Sequence, residues 1–367
     1  MFKVHALQAA FGDSLILEFG TSSQKRFVLI DGGPEGTYGA TLRSQLTQIA
    51  TAGGRLERVI LSHVDGDHVV GLLELFSELR TNQAPIAVDA LWHNSFAKTI
   101  DDGPNNIAGR VHTMLANVAG ANGVMGATSD EINTIADGNK LRQDALVLGI
   151  SFNDGMSQSN LVSLDTSPGP LTWGNLTVTV VGPTKTNLDN LKTDWLDWLD
   201  THEGPLSTGD PFLAAMADQS KPNLSSIMLH VKDDAGKTVL FTGDGRGDHL
   251  VQGLAQANLL SPNGTLHVNV FKLPHHGSDR NVTKTFFKKV TADEYIASAN
   301  GKDGNPDYST LSWLIAAAKE QNRRIIIHVT NTTKSTDDIQ ADFDPQTFGY
   351  TLNVRPANQP AITLKLS

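Results

Sequence analysis

At 367 residues the chain exceeds the usual span of one domain, yet a layered α/β protein with insertions reaches that size as one compact unit, and a single embellished domain is expected. It contains no cysteine, which excludes disulfides and thiolate metal sites, so any bound metal must use imidazole, carboxylate and water. A formal charge of −10 argues against unaided, non-specific capture of nucleic acid, a possible partner that the charge does not support, while bound cations, whose positive charge the side-chain count omits, keep a phosphate-containing substrate open.

The N-terminus, Met1-Phe2-Lys3-Val4-His5, lacks a basic region followed by an apolar core. No later stretch approaches the roughly 18 continuous apolar residues of a membrane span, so the expectation is a soluble, cytoplasmic chain. Residues 2–31 read as three strands, Phe2–Gln8, Ser14–Phe19 and Arg26–Ile30, with turns at Gly12-Asp13 and Gly20–Gln24. Leu42, Leu46 and Ile49 then recur at helical spacing and Gly53-Gly54 stops that helix. Val59-Ile60-Leu61 is the core of another strand, and Val69, Val70, Leu72, Leu73, Phe76 and Leu79 carry the next helix. Strand and helix in alternation predict helices covering a sheet. Ile86–Leu91 is a short strand ending at Trp92-His93-Asn94.

From about 97 to 170 the character changes to Asp101–Asn106, helix-like Val111–Ala119, a glycine-rich patch at 120–126 and Asp130–Asp144, read as a mostly helical insertion. Leu176–Val181 is a strand ending in Gly182-Pro183. A second insertion, about 185–220, carries Leu188, Leu191, Trp195, Leu196, Trp198 and Leu199, an aromatic face read as packing before a ligand platform. Both insertions are lid candidates. Beyond 221, Ser225–Val231 and Thr238–Phe241 form a hairpin, a helix follows Asp244, and Leu266–Phe271 runs to His275-His276. Phe286–Lys289, Tyr295–Ser298, Leu311–Lys319 and Ile325–Val329 repeat helix and strand, and Tyr350–Val354 and Ala361–Leu366 supply closing strands. There is no fixed-period repeat and no separating linker.

The densest chemistry is Ser62-His63-Val64-Asp65-Gly66-Asp67-His68, four potential ligands within six positions straight after an apolar strand. Alternation along a strand points His63 and Asp65 the same way, while Asp67 and His68 lead into the helix. Two pairs of ligands at one turn can hold two ions, and imidazole with carboxylate suits zinc, manganese or iron in open, catalytic coordination. A polar turn capped by Asp67 accounts for one such pair but not for two.

This stretch resembles the H-x-H-x-D-H signature of the metallo-β-lactamase superfamily, with Asp65 in place of the second histidine. The H-x-D-x-D-H variant resembles the hydrolase domain of the ComEC competence proteins and its stand-alone relatives. Val4–Leu17, Leu29-Ile30-Asp31-Gly32-Gly33, Asn223–Leu229, Val239–Asp244 and Lys272–Ser278 agree with that branch in order and spacing. The resemblance covers roughly residues 2–93 and 175–330. It implies a four-layer αββα sandwich of α/β (α+β) class with helical insertions, and a hydrolase holding two divalent ions, zinc or manganese.

By that pattern His63 and Asp65 hold the first ion, Asp67 and His68 the second, Asp244 bridges, and His276 completes the second site, with Asp67 also orienting the attacking water. Asp244 read alone is equally a helix N-cap. Adjacent residues at a strand end face opposite ways, so His275 is expected to touch substrate or support a ligand, or else to be a loop histidine. A further histidine of the superfamily is missing where Leu176–Val181 ends in Gly182-Pro183, and His93 is the candidate to fill the gap, with a core or loop role as the alternative. Asp13, Asp31, Asn223 and Ser226 match positions near the site, as supports for the ligands or as further ligands, and Asp31-Gly32-Gly33 reads equally as a plain turn. The remaining histidines have no matching pattern and are taken as structural. Aspartate in place of histidine hardens the first position towards manganese. The implied reaction is cleavage of a phosphodiester in a small or nucleotide-like substrate, with lactone or β-lactam hydrolysis as the alternative and binding without turnover as a third reading.

Overall fold

The computed structural model describes residues 1–95, 110, 129–157, 161–201 and 225–367. Asp101–Asn106, Val111–Ala119, the patch at 120–126, residues 202–220 and Asn223 lie outside them. Among the described residues, fifteen strands form two sheets: seven in the order β15-β1-β2-β3-β4-β5-β6 and eight in the order β14-β13-β12-β11-β10-β9-β8-β7. In the first sheet, β1 (Phe2–Leu7), β2 (Leu15–Gly20) and β3 (Lys25–Ile30) are antiparallel, as their tight connections require. Then β3, β4 (Leu56–Ile60), β5 (Ala90–Trp92) and β6 (Ser151–Phe152) run parallel. The last strand, β15 (Ala361–Lys365), closes the sheet antiparallel to β1.

In the second sheet β7 (Leu171–Trp173), β8 (Leu176–Gly182), β9 (Met228–Asp233) and β10 (Thr238–Phe241) are antiparallel. From β10 onwards, β11 (Leu266–Lys272), β12 (Val290–Ala297), β13 (Ile325–Val329) and β14 (Tyr350–Val354) are parallel.

Alternate residues of each strand face different layers, and the core follows that period. Val4, Leu17, Val28 and Ile60 of the first sheet meet Val178, Leu229, Val231, Phe241 and Val270 of the second in one buried cluster. The opposite face of the first sheet, with Leu29, Val59 and Leu91, is covered by α1 (Arg43–Thr51), α2 (Gly66–Arg80) and α3 (Ser129–Val147). The outer face of the second sheet, with Leu240, Phe271 and Tyr295, packs under α5 (Gly247–Gln256), α6 (Lys284–Lys289), α7 (Tyr308–Glu320) and α8 (Lys334–Asp342), so the chain is a four-layer αββα sandwich. Of the second insertion, α4 (Lys185–Thr201) buries Leu188 and Leu191.

Several boundaries differ from the sequence reading. The strand expected over Ile86–Leu91 pairs as a ladder only from Ala90, preceded by a lone bridge between Val88 and Leu56. The stretch read as a helical insertion does supply α3, but it also supplies β6, which pairs with β5. The first hairpin strand begins at Met228 rather than Ser225.

Two glycines bring the elements together tightly. A Cβ on Gly71 would lie 2.0 Å from the Gly32 carbonyl oxygen, so only glycine lets α2 approach the end of β3 so closely. A Cβ on Gly12 would lie 1.9 Å from the carbonyl oxygen of Asp67, so the β1–β2 turn reaches the ligand-rich turn only through glycine.

Candidate metal centre

Neighbouring parallel strands end together, and the polar cluster sits just beyond their carboxyl ends, the place where open α/β sheets put ligands. Asp31 follows β3, the His63–His68 turn follows β4, Asp244 follows β10, and His275-His276 follow β11. Both sheets therefore contribute. Among the described residues, Asp67, His68, Asp244 and His276 offer ligand atoms that all lie within 4.8 Å of one another.

Asp244 is the centre of the arrangement and is almost wholly buried. His276 Nε2 is 3.3 Å, His275 Nε2 3.7 Å and His63 Nε2 3.9 Å from its Oδ2, and His68 Nε2 is 3.4 Å from its Oδ1. Asp67 Oδ2 is 3.1 Å from His276 Nε2 and 3.6 Å from His68 Nε2, and Asp65 Oδ2 is 3.4 Å from His63 Nε2. Asp65 and Asp67 are about one-fifth exposed, so the cluster opens to water on their side.

The far side of each imidazole is already engaged. His68 Nδ1 donates to Asp31 Oδ2 at 2.9 Å, and His276 Nδ1 donates to the Ser298 carbonyl at 2.9 Å. The Ser62 hydroxyl gives its proton to Asp31 Oδ2 at 2.7 Å, which leaves it to accept from His63 Nδ1 at 3.1 Å. Asn281 donates its amide to the Asp244 carbonyl, which turns its Oδ1 towards His275 Nδ1 at 2.9 Å. Each ring is thus fixed with its proton on Nδ1 and its Nε2 facing inward, the orientation a metal ligand needs. Among the described residues, His63 Nε2, His68 Nε2, His276 Nε2 and Asp244 Oδ1 are buried without a hydrogen-bond partner. Orphaned buried nitrogens of this kind are costly, and converging on one carboxylate they fit a divalent cation.

The electrostatics agree. Burial works against charge on His68 and His276, yet the carboxylates of Asp244, Asp67 and Asp31 around the first, and of Asp244 and Asp13 around the second, raise both well above the ordinary histidine range. Burial likewise opposes ionisation of Asp244 and Asp67, and the neighbouring imidazolium groups outweigh it and hold both below the usual carboxylate range. Without a cation the cluster neutralises itself with protons on the nitrogens a cation would take. Affinity for Mn²⁺ or Zn²⁺ should therefore rise with pH well past the ordinary histidine value, by up to about tenfold per pH unit for each proton displaced. Calorimetry across pH, in buffers of different ionisation enthalpy, measures both slope and proton release. A flat profile would mean that no Nε2 proton is displaced.

Asp13, Asp31 and His68 form a second convergent group, wholly buried. The Ser226 hydroxyl accepts from the Asp244 backbone N–H at 3.2 Å. His93 belongs to neither group; burial, aided by the positive charge of Arg142 and only partly opposed by a backbone hydrogen bond at Gly138, pushes it down to about 3, and its ring lies against α3, where a Cβ on Gly138 would be 3.0 Å from Nε2. The expectation that His275 and His276 face opposite ways does not hold, because both sit in the left-handed region, with φ of 48° and 54°, and both rings turn to Asp244. The sequence reading passed over Ser62, Asn281, Ser298 and Lys272. Of these only Lys272 carried a signal, a lone cation in the otherwise apolar run Val270–Leu273.

Residues 10–125 match the family model described as the metallo-beta-lactamase superfamily, a span that takes in Asp13, Asp31 and the whole His63–His68 turn and leaves Asp244 and His276 outside. No curated protein matches the chain. Among solved structures, one titled as a new diphosphatase from the PhnP family is 9% identical, with a TM-score of 0.40, over 100% of this chain and 98% of that one. No helix among the described residues is long and apolar enough to cross a membrane. The family match spans about a third of the chain, and the four-layer sandwich is consistent with the fold of that superfamily; together they support a hydrolase.

Proposed function

We propose that the chain is a metal-dependent hydrolase with two divalent ions, cleaving a phosphodiester or related bond in a small, phosphorylated, nucleotide-like substrate. The observation that carries this reading is the convergence of unpartnered imidazole nitrogens on Asp244 beside two partly exposed carboxylates. Bound ions of this kind bring the pKa of a water towards neutrality and polarise the bond under attack.

His63 and Asp65 would hold one ion, Asp67, His68 and His276 the other, and Asp244, whose two oxygens face different imidazoles, would serve both. Asp67 lies on the open side, where its carboxylate can orient the attacking water and take its proton. His275, held by Asn281, faces the same carboxylate from the second sheet and is placed to contact the group undergoing hydrolysis. Ser62, Asp31 and Ser298 keep the rings from turning. Three carboxylates among the ligands favour an oxygen-loving ion such as manganese over zinc, and such sites suit the stabilisation of entering and leaving oxygens in phosphoryl chemistry.

The test compares turnover of bis(p-nitrophenyl) phosphate, a chromogenic cephalosporin and a simple lactone with Mn²⁺ or Zn²⁺ added to metal-free protein. Diester cleavage should dominate and respond most to Mn²⁺. Inert diester beside rapid lactone opening would overturn the substrate assignment, and no turnover of any of the three would favour binding without catalysis.

A further inference from the structure

Lys272 ends β11 with a side chain 1% exposed, and its partner Asp13, in the β1–β2 turn, is equally buried. Lysine is almost never fully buried unless paired, and a pair so far from water is not explained by stability alone, since apolar residues of similar volume often do as well. The location supplies the explanation. Lys272 Nζ pairs with Asp13 Oδ2 and lies 3.4 Å from the Gly243 carbonyl, which also accepts the His275 backbone N–H at 3.1 Å. Asp13 turns its other oxygen to His276 Nδ1 at 3.3 Å, and its own N–H donates to the Asp67 carbonyl at 3.2 Å. The Lys272 carbonyl in turn accepts from Thr242 Oγ1 at 2.8 Å, tying the end of β11 to β10.

One ammonium group thus touches the turn before Asp244 and, through Asp13, reaches both His276 and the His63–His68 turn. His275 and His276 sit in left-handed backbone, which is unfavourable at non-glycine residues, and Asp13 adds a charged contact on His276 Nδ1 to the holds that Asn281 and the Ser298 carbonyl already supply. We propose that Lys272 is a positioning residue that acts through Asp13: its fixed positive charge keeps the Asp13 carboxylate against His276 Nδ1, out of the cation cluster, so that His276 presents Nε2 to Asp244 and Asp67. The inference rests on the reading that the cluster takes cations.

The test is titration of Co²⁺ into metal-free wild type, Lys272→Met and the double variant Lys272→Met/Asp13→Asn, read by calorimetry and by the visible absorption of the bound ion. Both variants should bind about 10–100-fold more weakly, the range for losing a group that orients a ligand, with a changed Co²⁺ spectrum. Should Lys272→Met fail to fold around the unpaired Asp13, the double variant, which leaves no buried lone charge, decides the matter. A folded variant with the wild-type affinity and spectrum would overturn the role of Lys272 while leaving the metal reading intact. Wild type that takes up no Co²⁺ would remove both.

Discussion

Asp244→Asn is expected to lower metal-dependent turnover by at least about 10³-fold, the scale of loss when a charge-stabilising group is taken from a water-excluded site. The substitution keeps the shape of the side chain and deletes one charge. That charge faces four imidazole nitrogens at 3.3 to 3.9 Å, and among the described residues no other carboxylate lies so near to all of them. The backbone around it is held independently, by the Ser226 hydroxyl on its N–H and the Asn281 amide on its carbonyl, so the fold should persist. Circular dichroism should therefore match wild type while ion content, measured on purified protein, falls. Undiminished turnover would remove Asp244 from the site and with it the two-ion reading.

Asp31→Ala should be costly in a different way. The side chain is fully buried and accepts three hydrogen bonds: from Ser62 N–H at 2.7 Å, the Ser62 hydroxyl at 2.7 Å and His68 Nδ1 at 2.9 Å. Stranding buried donors costs about 1–3 kcal/mol each, so urea unfolding of the metal-free protein should show a loss on the order of 3 kcal/mol or more. Metal affinity should fall about 10–100-fold as His68 loses the acceptor that orients it. An exposed helical pair such as Lys185–Asp189 sets the contrast, being worth only about 0.3–0.5 kcal/mol. If stability stays within about 1 kcal/mol and affinity is unchanged, Asp31 is the plain turn residue that the sequence also allowed.

Much of the framework was legible because apolar runs that end in glycine or aspartate mark strand ends, as at Ile30-Asp31, Leu61-Ser62-His63 and Phe241-Thr242-Gly243-Asp244. Shorter strands were not. β6 has two residues and β7 three, too few to show a period, and each exists through its neighbour in the sheet. α8 was missed for another reason: its Lys334–Asp342 sequence buries only Ile339 among its apolar residues, and the helix is marked by a reciprocal cap between Thr333 and Thr336 rather than by an apolar stripe. In the site, the His63–His68 turn was visible as a local cluster. The shared orientation of His275 and His276 was not, because alternation along a strand stops applying once the backbone turns left-handed. Lys272 and Asp13 are far apart in sequence, and only the strand order of the two sheets brings their charges together.

The seam where β4 and β10 end side by side carries a mechanical consequence. Candidate ligand atoms on one side belong to the first sheet and on the other to the second, so an ion seated there would work as a clasp between two halves of the sandwich as well as a reagent. Because a cation held in this way favours the folded chain over the unfolded one, loading and tightening of the seam are a single event. Any ligand of the ion that pulls His63 away from Asp244 must also loosen the joint between the layers.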